Sequence, residues 1–207
     1  MNSIYFSFKR IFDLLFSLIA LLLLSPLFFF IGFGIKISSS GPIFFNSKRI
    51  GRDGKTISCL KFRTMNLNTQ EMMEDLFKKS PFLKREWDEF QKLKNDPRIF
   101  PFGAFLRKTS LDELPQFINV FLGELSLVGP RPYLLDQVET RLGKEKGFYL
   151  SIKPGITGLW QVSGRSELTF EQRLDLEKEY IKNMSFSLDL KIILKTILVV
   201  IFRKGAY

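Results

Sequence analysis

Between Leu14 and Ile35 the chain carries no charged residue. As a straight helix that run, about 22 residues, extends roughly 33 Å, which is enough to cross a bilayer. It is too long for the apolar region of a secretory signal, and no small-residue cleavage site follows it. A plain membrane anchor is one reading. Ser25-Pro26, near the middle, argues for another, because Pro26 has no amide hydrogen for the Leu22 carbonyl and predicts a kink. Lys9 and Arg10 precede the run, while Lys36, Lys48, Arg49 and Arg52 follow it, so flanking charge gives a span no direction. A helix broken at Ser25 and Pro26 that dips in and returns to the same face satisfies both observations. Spanning and re-entrant arrangements stay open. Asp13 lies one turn from Lys9 and Arg10 and is expected to form an interfacial ion pair with them.

The chemistry open to the chain is narrow. It has 207 residues, a net charge of +10 and no histidine. Histidine-based nucleophile systems and histidine-ligated zinc are therefore excluded. The single Cys59 has no partner for an internal disulfide or a thiolate metal site and fits a reducing, cytoplasm-facing location. The positive charge calls for anionic partners: lipid headgroups, nucleic acid or phosphorylated small molecules. Carboxylates, lysines, arginines, hydroxyls and a hard metal ion remain as reagents.

Ser38 to Pro42 reads as a loop dividing an anchor, residues 1–37, from a catalytic domain, residues 38–207. Ile43 to Met65 predicts a β-hairpin turning at Asp53-Gly54. Asn66 to Lys94 is charged and helix-favouring, with a capping box at Asn68 and Glu71, and with Ser80 as an N-cap before Pro81. Asn95-Asp96-Pro97 ends that stretch. The mixed charges of Asn66 to Lys94 read as solvated helix faces, and further helices are expected over Phe105 to Phe121 and Glu171 to Lys182. Leu188 to Phe202 is apolar but interrupted by Lys191 and Lys195 on one face, which predicts an amphipathic helix lying in the membrane interface. The fold class is α+β and mostly helical: an N-terminal membrane helix, a small hairpin, and interfacial helices around a compact domain.

Two segments could carry chemistry. In Arg107 to Gln116, Asp112 and Glu113 sit between basic residues and Pro115. Pro115 is unstrained only in the first helical turn, so a helix should begin near Ser110 to Asp112. Ordinary capping by Ser110 or Asp112 explains this much. Equally, amides at a helix start hold anions, and a carboxylate there stays ionised, as a nucleophile must. The second segment is Pro130-Arg131-Pro132, where two prolines stiffen an arginine suited to bidentate phosphate binding. Lys61, Arg63, Gly164 and Arg165 could add to the same anion site.

Taken in order, these stretches resemble the bacterial sugar transferases, the monotopic polyprenyl-phosphate phosphoglycosyl transferases. The resemblance rests on Lys9-Arg10-Ile11-Phe12-Asp13, Ser25-Pro26, Gly41 to Phe45 and Lys61-Phe62-Arg63-Thr64-Met65. It continues through Leu111 to Gln116, Ser126 to Pro132, Lys153 to Arg165 (including Gln161) and Asp189-Leu190. It covers nearly the whole chain.

The resemblance implies a re-entrant helix broken at Ser25-Pro26, with Asp112 as a nucleophile that attacks a UDP-sugar, expels UMP and carries the phosphosugar. Polyprenyl phosphate then takes the phosphosugar. Glu113, with Asp112, is implied to hold Mg²⁺, and Arg131 to bind substrate phosphate, with Lys61, Arg63, Gln161 and Arg165 around it. The location implied is the bacterial inner membrane, with the catalytic domain on its cytoplasmic face. Residues 163–167 and 203–207 look like those of hexose-1-phosphate transferases of capsule, exopolysaccharide or O-antigen assembly, with galactose or glucose favoured. By the same comparison the chain corresponds to the catalytic form without the extra membrane helices of longer relatives. Two Phe-rich amphipathic regions leave homodimerisation in the membrane open. The alternative is a non-enzymatic, membrane-anchored basic scaffold, which accounts for the anchor and charge but gives no role to Asp112-Glu113. Nucleic-acid binding is not expected, because the basic residues are spread along the chain and no nucleic-acid motif occurs.

Overall fold

The computed structural model describes residues 3–90, 93, 96–164 and 168–201. Lys94, Asn95, Arg165 and the 203–207 segment lie outside them.

The apolar run is part of one unbroken helix, α1 (Ser3–Ser38), with Pro26 inside it. Among the described residues it is long and apolar enough to cross a membrane, with mean hydropathy 2.7 over its most apolar 18-residue window. Only 11% of that window is buried, so the run does not serve as the domain's core. Ser25 explains how the helix survives Pro26: its hydroxyl donates to the Leu22 carbonyl at 2.8 Å, the acceptor the proline cannot serve.

Both ends of α1 rest on the rest of the protein. Near the start, Asp13 is buried and accepts from the Ser126 hydroxyl at 2.7 Å and the Leu127 amide at 3.1 Å. The expected ion pair of Asp13 with its helical neighbours is thereby corrected. Lys9 instead reaches Asp189 at 2.7 Å, and Arg10 donates to the carbonyls of Val120 and Phe121. A buried carboxylate needs several donors, and a neighbouring chain segment supplies them better than one helical turn does. Near its other end, Ile31 and Ile35 are buried against Phe62, Phe100 and Leu106.

The hairpin forms as its sequence predicts, from β1 (Phe44–Ile50) and β2 (Thr56–Phe62) in antiparallel register, Phe44 opposite Phe62 and Ile50 opposite Thr56. Asp53 and Gly54 both take positive φ, 57° and 76°, and the Lys55 amide returns to the Arg52 carbonyl at 3.2 Å. Positive φ at both positions is what a primed turn needs, and Asp-Gly tolerates it.

Helices α2 (Thr69–Lys79) and α3 (Pro81–Phe90) follow. Pro81 opens α3, and Ser80 Oγ lies 3.5 Å from the Leu83 amide, at the limit of a capping bond. Asn68 occupies the cap position of α2 but makes no side-chain bond there, since its backbone is not in the extended conformation that aims the side chain at the helix amides. Next come α4 (Pro101–Lys108), α5 (Gln116–Leu122), β3 (Ser126–Val128), α6 (Leu135–Thr140), α7 (Lys146–Tyr149) and β4 (Gly155–Thr157). Strands β3 and β4 pair in parallel.

Last are α8 (Phe170–Lys182) and α9 (Phe186–Ile201). Thr169 and Gln172 close a reciprocal capping box at the start of α8. α9 exposes Lys191 and Lys195 together with Leu194, Ile197 and Leu198, while Ile192 is buried. Its Asp189 accepts from Tyr5, Lys9 and Tyr180, which ties α9, α1 and α8 together.

The core has two parts. One gathers Val120, Leu125, Leu127, Val128, Tyr180 and Ile192 around β3. The other holds the end of α1 against Phe62, Phe100 and Leu106. Asn119, buried between α5 and β2, accepts from the Leu60 amide at 2.9 Å and donates to the Ser58 carbonyl at 2.7 Å. That side chain docks α5 onto the hairpin.

Candidate active site

The expected single helix over Phe105 to Phe121 is instead two helices with a tight turn between them. α4 stops at Lys108, where Thr109 Oγ1 donates back to the Phe105 carbonyl. Ser110 then adopts φ 57°, a left-handed conformation that costs a side-chain-bearing residue energy. Leu111–Glu113 forms a single 3₁₀ turn, and Pro115 caps α5 rather than sitting inside it. Leu111 and Leu114 pack on the core beside Phe62 and Leu106. Asp112 and Glu113, between those two anchors, are placed by them.

Asp112 is buried, 8% exposed, whereas the Glu113 side chain is 40% exposed. Lys61, projecting from β2, meets Glu113 Oε1 at 2.6 Å. Burial raises the Asp112 carboxyl to about 6. The charges of Lys61 and Arg107 oppose that rise, and Glu113 adds to it. Desolvation outweighs the surrounding cations. The carboxyl remains largely ionised at neutral pH. Arg107 is held by its Nε on Thr64 Oγ1 at 2.9 Å.

Arg131 follows β3. Its backbone amide donates to Glu177 Oε1 at 2.9 Å, and the Tyr133 hydroxyl donates to Glu177 Oε2. The Arg131 guanidinium lies over the Trp160 ring, 5.6 Å from its centroid, and Arg173 stands 5.0 Å from the same ring. Glu177 is 2% exposed, and burial raises its carboxyl to about 7 against the pull of Tyr133 and Arg131. Glu177 stands inside the expected Glu171 to Lys182 helix without being singled out there; its spacing from buried Tyr180 and Ile181 on one helical face is the available signal.

The loop is also fixed from below. A side chain at Gly129 would meet the Lys153 carbonyl at 2.6 Å, one at Gly155 the Gly129 amide at 2.1 Å, and one at Gly158 the Gly129 carbonyl at 2.5 Å. The two loops therefore touch backbone to backbone.

Arg49 links the two halves. It shares a hairpin face with Cys59 and Lys61, and it lies within electrostatic reach of both Glu113 and Arg131. Burial, then the Arg131 charge, lower its pKa. In the sequence Arg49 stands only among the charges flanking the apolar run.

Two of the anticipated residues are used elsewhere. Arg63 is 4% exposed and spends its guanidinium on Pro42 O, Ser39 Oγ, Ser39 O and Met65 O, locking the loop after α1. Four of its five N–H donors are engaged there, which ties the side chain to that loop rather than to the carboxylates. Gln161 Nε2 donates to the Ile156 carbonyl at 3.0 Å, bracing the loop after β4.

Asp112 and Glu113 offer hard oxygen donors on adjacent residues, the kind of set that takes Mg²⁺ together with substrate phosphates. Among the described residues, no group of three or more Asp, Glu, His or Cys side chains converges.

The sequence matches a family described as "Bacterial sugar transferase" over residues 4–203. It is 44% identical, over 96% of its length, to "Exopolysaccharide production protein ExoY" of Sinorhizobium fredii, of which it covers 88%. It is 45% identical to "Undecaprenyl-phosphate galactose phosphotransferase" of Salmonella typhimurium and 47% identical to "UDP-galactose-lipid carrier transferase" of Erwinia amylovora. Each of these alignments spans 96% of this chain and 41% of the relative.

Proposed function

The chain belongs to the bacterial sugar transferase family, and from that premise we propose that it moves a hexose 1-phosphate from a UDP-sugar to polyprenyl phosphate. Galactose is the first candidate, in view of the relatives' names, with glucose next. The observation that carries the reading is Asp112: a buried carboxyl near 6, fixed between two core-anchored leucines and bordered by Lys61 and Arg107.

In this scheme an Asp112 oxygen attacks the β-phosphorus of the donor, and the bond from that phosphorus to the bridging oxygen breaks. UMP leaves with the electron pair, and the sugar phosphate stays on Asp112 as an acyl phosphate. A polyprenyl phosphate oxygen then attacks the same phosphorus, and the bond to Asp112 breaks to restore the carboxylate. Lys61 and Arg49 reduce repulsion between an anionic nucleophile and an anionic donor. Arg131, stiffened by Glu177 and Trp160, holds a donor phosphate. Mg²⁺ held by Asp112 and Glu113 would neutralise phosphate oxygens when bound.

Membrane attachment follows the same reading. Both ends of α1 pack on one domain, which supports a re-entrant rather than a spanning helix. The exposed apolar side chains of α9 support its lying in the interface. The catalytic domain then faces the cytoplasm at the inner membrane, as a first step in building an extracellular or capsular polysaccharide.

UMP release from a panel of UDP-sugars, with and without polyprenyl phosphate, tests activity and sugar choice together. Mass spectrometry should find a sugar-phosphate adduct on Asp112. Wild-type UMP release by Asp112→Asn would overturn the nucleophile. For topology, cysteines placed at Asn2 and Ser40 should both label from the cytoplasmic side; native Cys59 is buried, with its thiol pushed up to about 11, and will stay silent.

A further inference from the structure

A second cationic site lies at the start of α1. There, the first turns of the helix meet the hairpin turn and the loop before β4 around a cavity of about 120 Å³. Four cations line it, Lys9, Arg10, Arg52 and Lys153, against one carboxylate, Asp13. The Asp13 oxygens are already taken by Ser126 and Leu127. Lys9 is neutralised by Asp189, and Arg52 pairs with Asp53 at 3.3 Å on the exposed turn.

Arg10 and Lys153 are different. Arg10 is fixed by two carbonyls at the end of α5 and, among the described residues, pairs with no carboxylate. Lys153 is half-buried and, among the described residues, forms no ion pair. Both stand close to Gly123: a side chain there would meet Arg10 Nη2 at 3.2 Å and Lys153 Nζ at 3.4 Å. Burial, then the Arg10 charge, lower the Lys153 pKa; Asp13 opposes this and Arg52 adds to it, as expected where cations outnumber carboxylates.

None of the charged neighbours of Asp112 lines this cavity, so it is separate from the candidate active site. Its volume is well below the roughly 300–1,000 Å³ of sites that enclose whole small molecules, and suits a phosphate group better than a nucleotide sugar. Its depth identifies the source. Asp13 is the last charge before the apolar run, which places the cavity where headgroups meet hydrocarbon. Phe6, Ile152 and Met184 add apolar wall beside the cations, and Ile4, Phe8 and Ile11 on the same turns are exposed.

We propose that this cavity binds the phosphate of an anionic membrane phospholipid, held chiefly by Arg10 and Lys153, and so fastens the start of α1 to the domain at the bilayer surface. The site does not depend on the transfer reaction, and its test uses no sugar donor.

Native mass spectrometry of the detergent-purified full chain, titrated with phosphatidylglycerol or phosphatidylcholine, reads the number and strength of retained lipids. The wild type should keep one phosphatidylglycerol in preference to phosphatidylcholine. Lys153→Ala should weaken that retention about fivefold, in keeping with one lost cation at the membrane surface. Lys153→Arg, which keeps the charge and serves if the alanine variant misfolds, should hold the lipid. Lys191→Ala/Lys195→Ala, on exposed α9, should leave the specific lipid in place. Equal retention by Lys153→Ala, or equal loss in the α9 variant, would overturn the site. Complete displacement of the lipid by excess inorganic phosphate would overturn the lipid source in favour of a soluble anion.

Discussion

Replacing Asp112 by asparagine should make the protein more stable while abolishing its turnover. The carboxyl sits at about 6 in the fold against an ordinary 3.8, a difference corresponding to about 3 kcal/mol. Because the folded value is the higher one, the folded state binds the proton more tightly than the unfolded chain. The stability associated with protonated Asp112 is complete below about pH 4 and lost as pH rises through 6. Asparagine mimics the neutral carboxyl in shape and never ionises. Its advantage should be absent near pH 4, grow between pH 4 and 6, and level off above pH 7 at about 1–3 kcal/mol, allowing for imperfect replacement of the carboxylate's contacts. For a chain of this size that raises the midpoint by about 2–4 °C per kcal/mol. Thermal unfolding of wild type and variant in one detergent, across that pH range, measures it, with UMP release assayed on the same samples. A variant less stable than wild type at pH 7.5, or a difference that does not change with pH, would refute the claim that burial governs this carboxyl.

Three further outcomes follow from the geometry. Lys61→Met removes the largest charge holding the Asp112 carboxyl down, so the acidic limb of the pH–rate profile should move upward and kcat/KM at pH 7 should fall at least about tenfold. Glu177→Ala leaves the Tyr133 hydroxyl and the Arg131 amide without their acceptor; it should cost about 2–4 kcal/mol in denaturation and raise the donor's KM more than it lowers kcat. Asn119→Ala severs α5 from the hairpin and should destabilise by about 2–4 kcal/mol, with loss of activity following unfolding rather than preceding it in a temperature series.

Much of the architecture could be read along the chain because its causes are local. Asp53-Gly54 announces its turn by its φ preferences, and Ser80-Pro81 marks the start of α3. The apolar run and the lysine spacing of α9 are periodicities that survive any tertiary setting. The misreadings concern polar side chains whose partners come from far away. Asp13 has nearby cations, yet its donors are 113 and 114 residues distant, and Lys9 finds its carboxylate 180 residues on. Arg63 looks like a free cation until Ser39 and Pro42 fold over it. Glu177 serves a loop 46 residues earlier. Asp112-Glu113 was found because Pro115 marks the turn locally, but the left-handed Ser110 that creates the turn carries no signal a serine would show. Composition and spacing speak for the backbone; pairing of buried charges is decided by the packed whole.

Gly129, Gly155 and Gly158 lie in direct main-chain contact, with no flexible atoms interposed to absorb a displacement. The two segments therefore behave as a single stiff plate, with Arg131 at one rim and Trp160 at the other. A ligand tugging on the guanidinium cannot shift its own loop alone; the aromatic ring beneath must travel with it. Adding even a methyl group at any of these three positions would pry the plate apart.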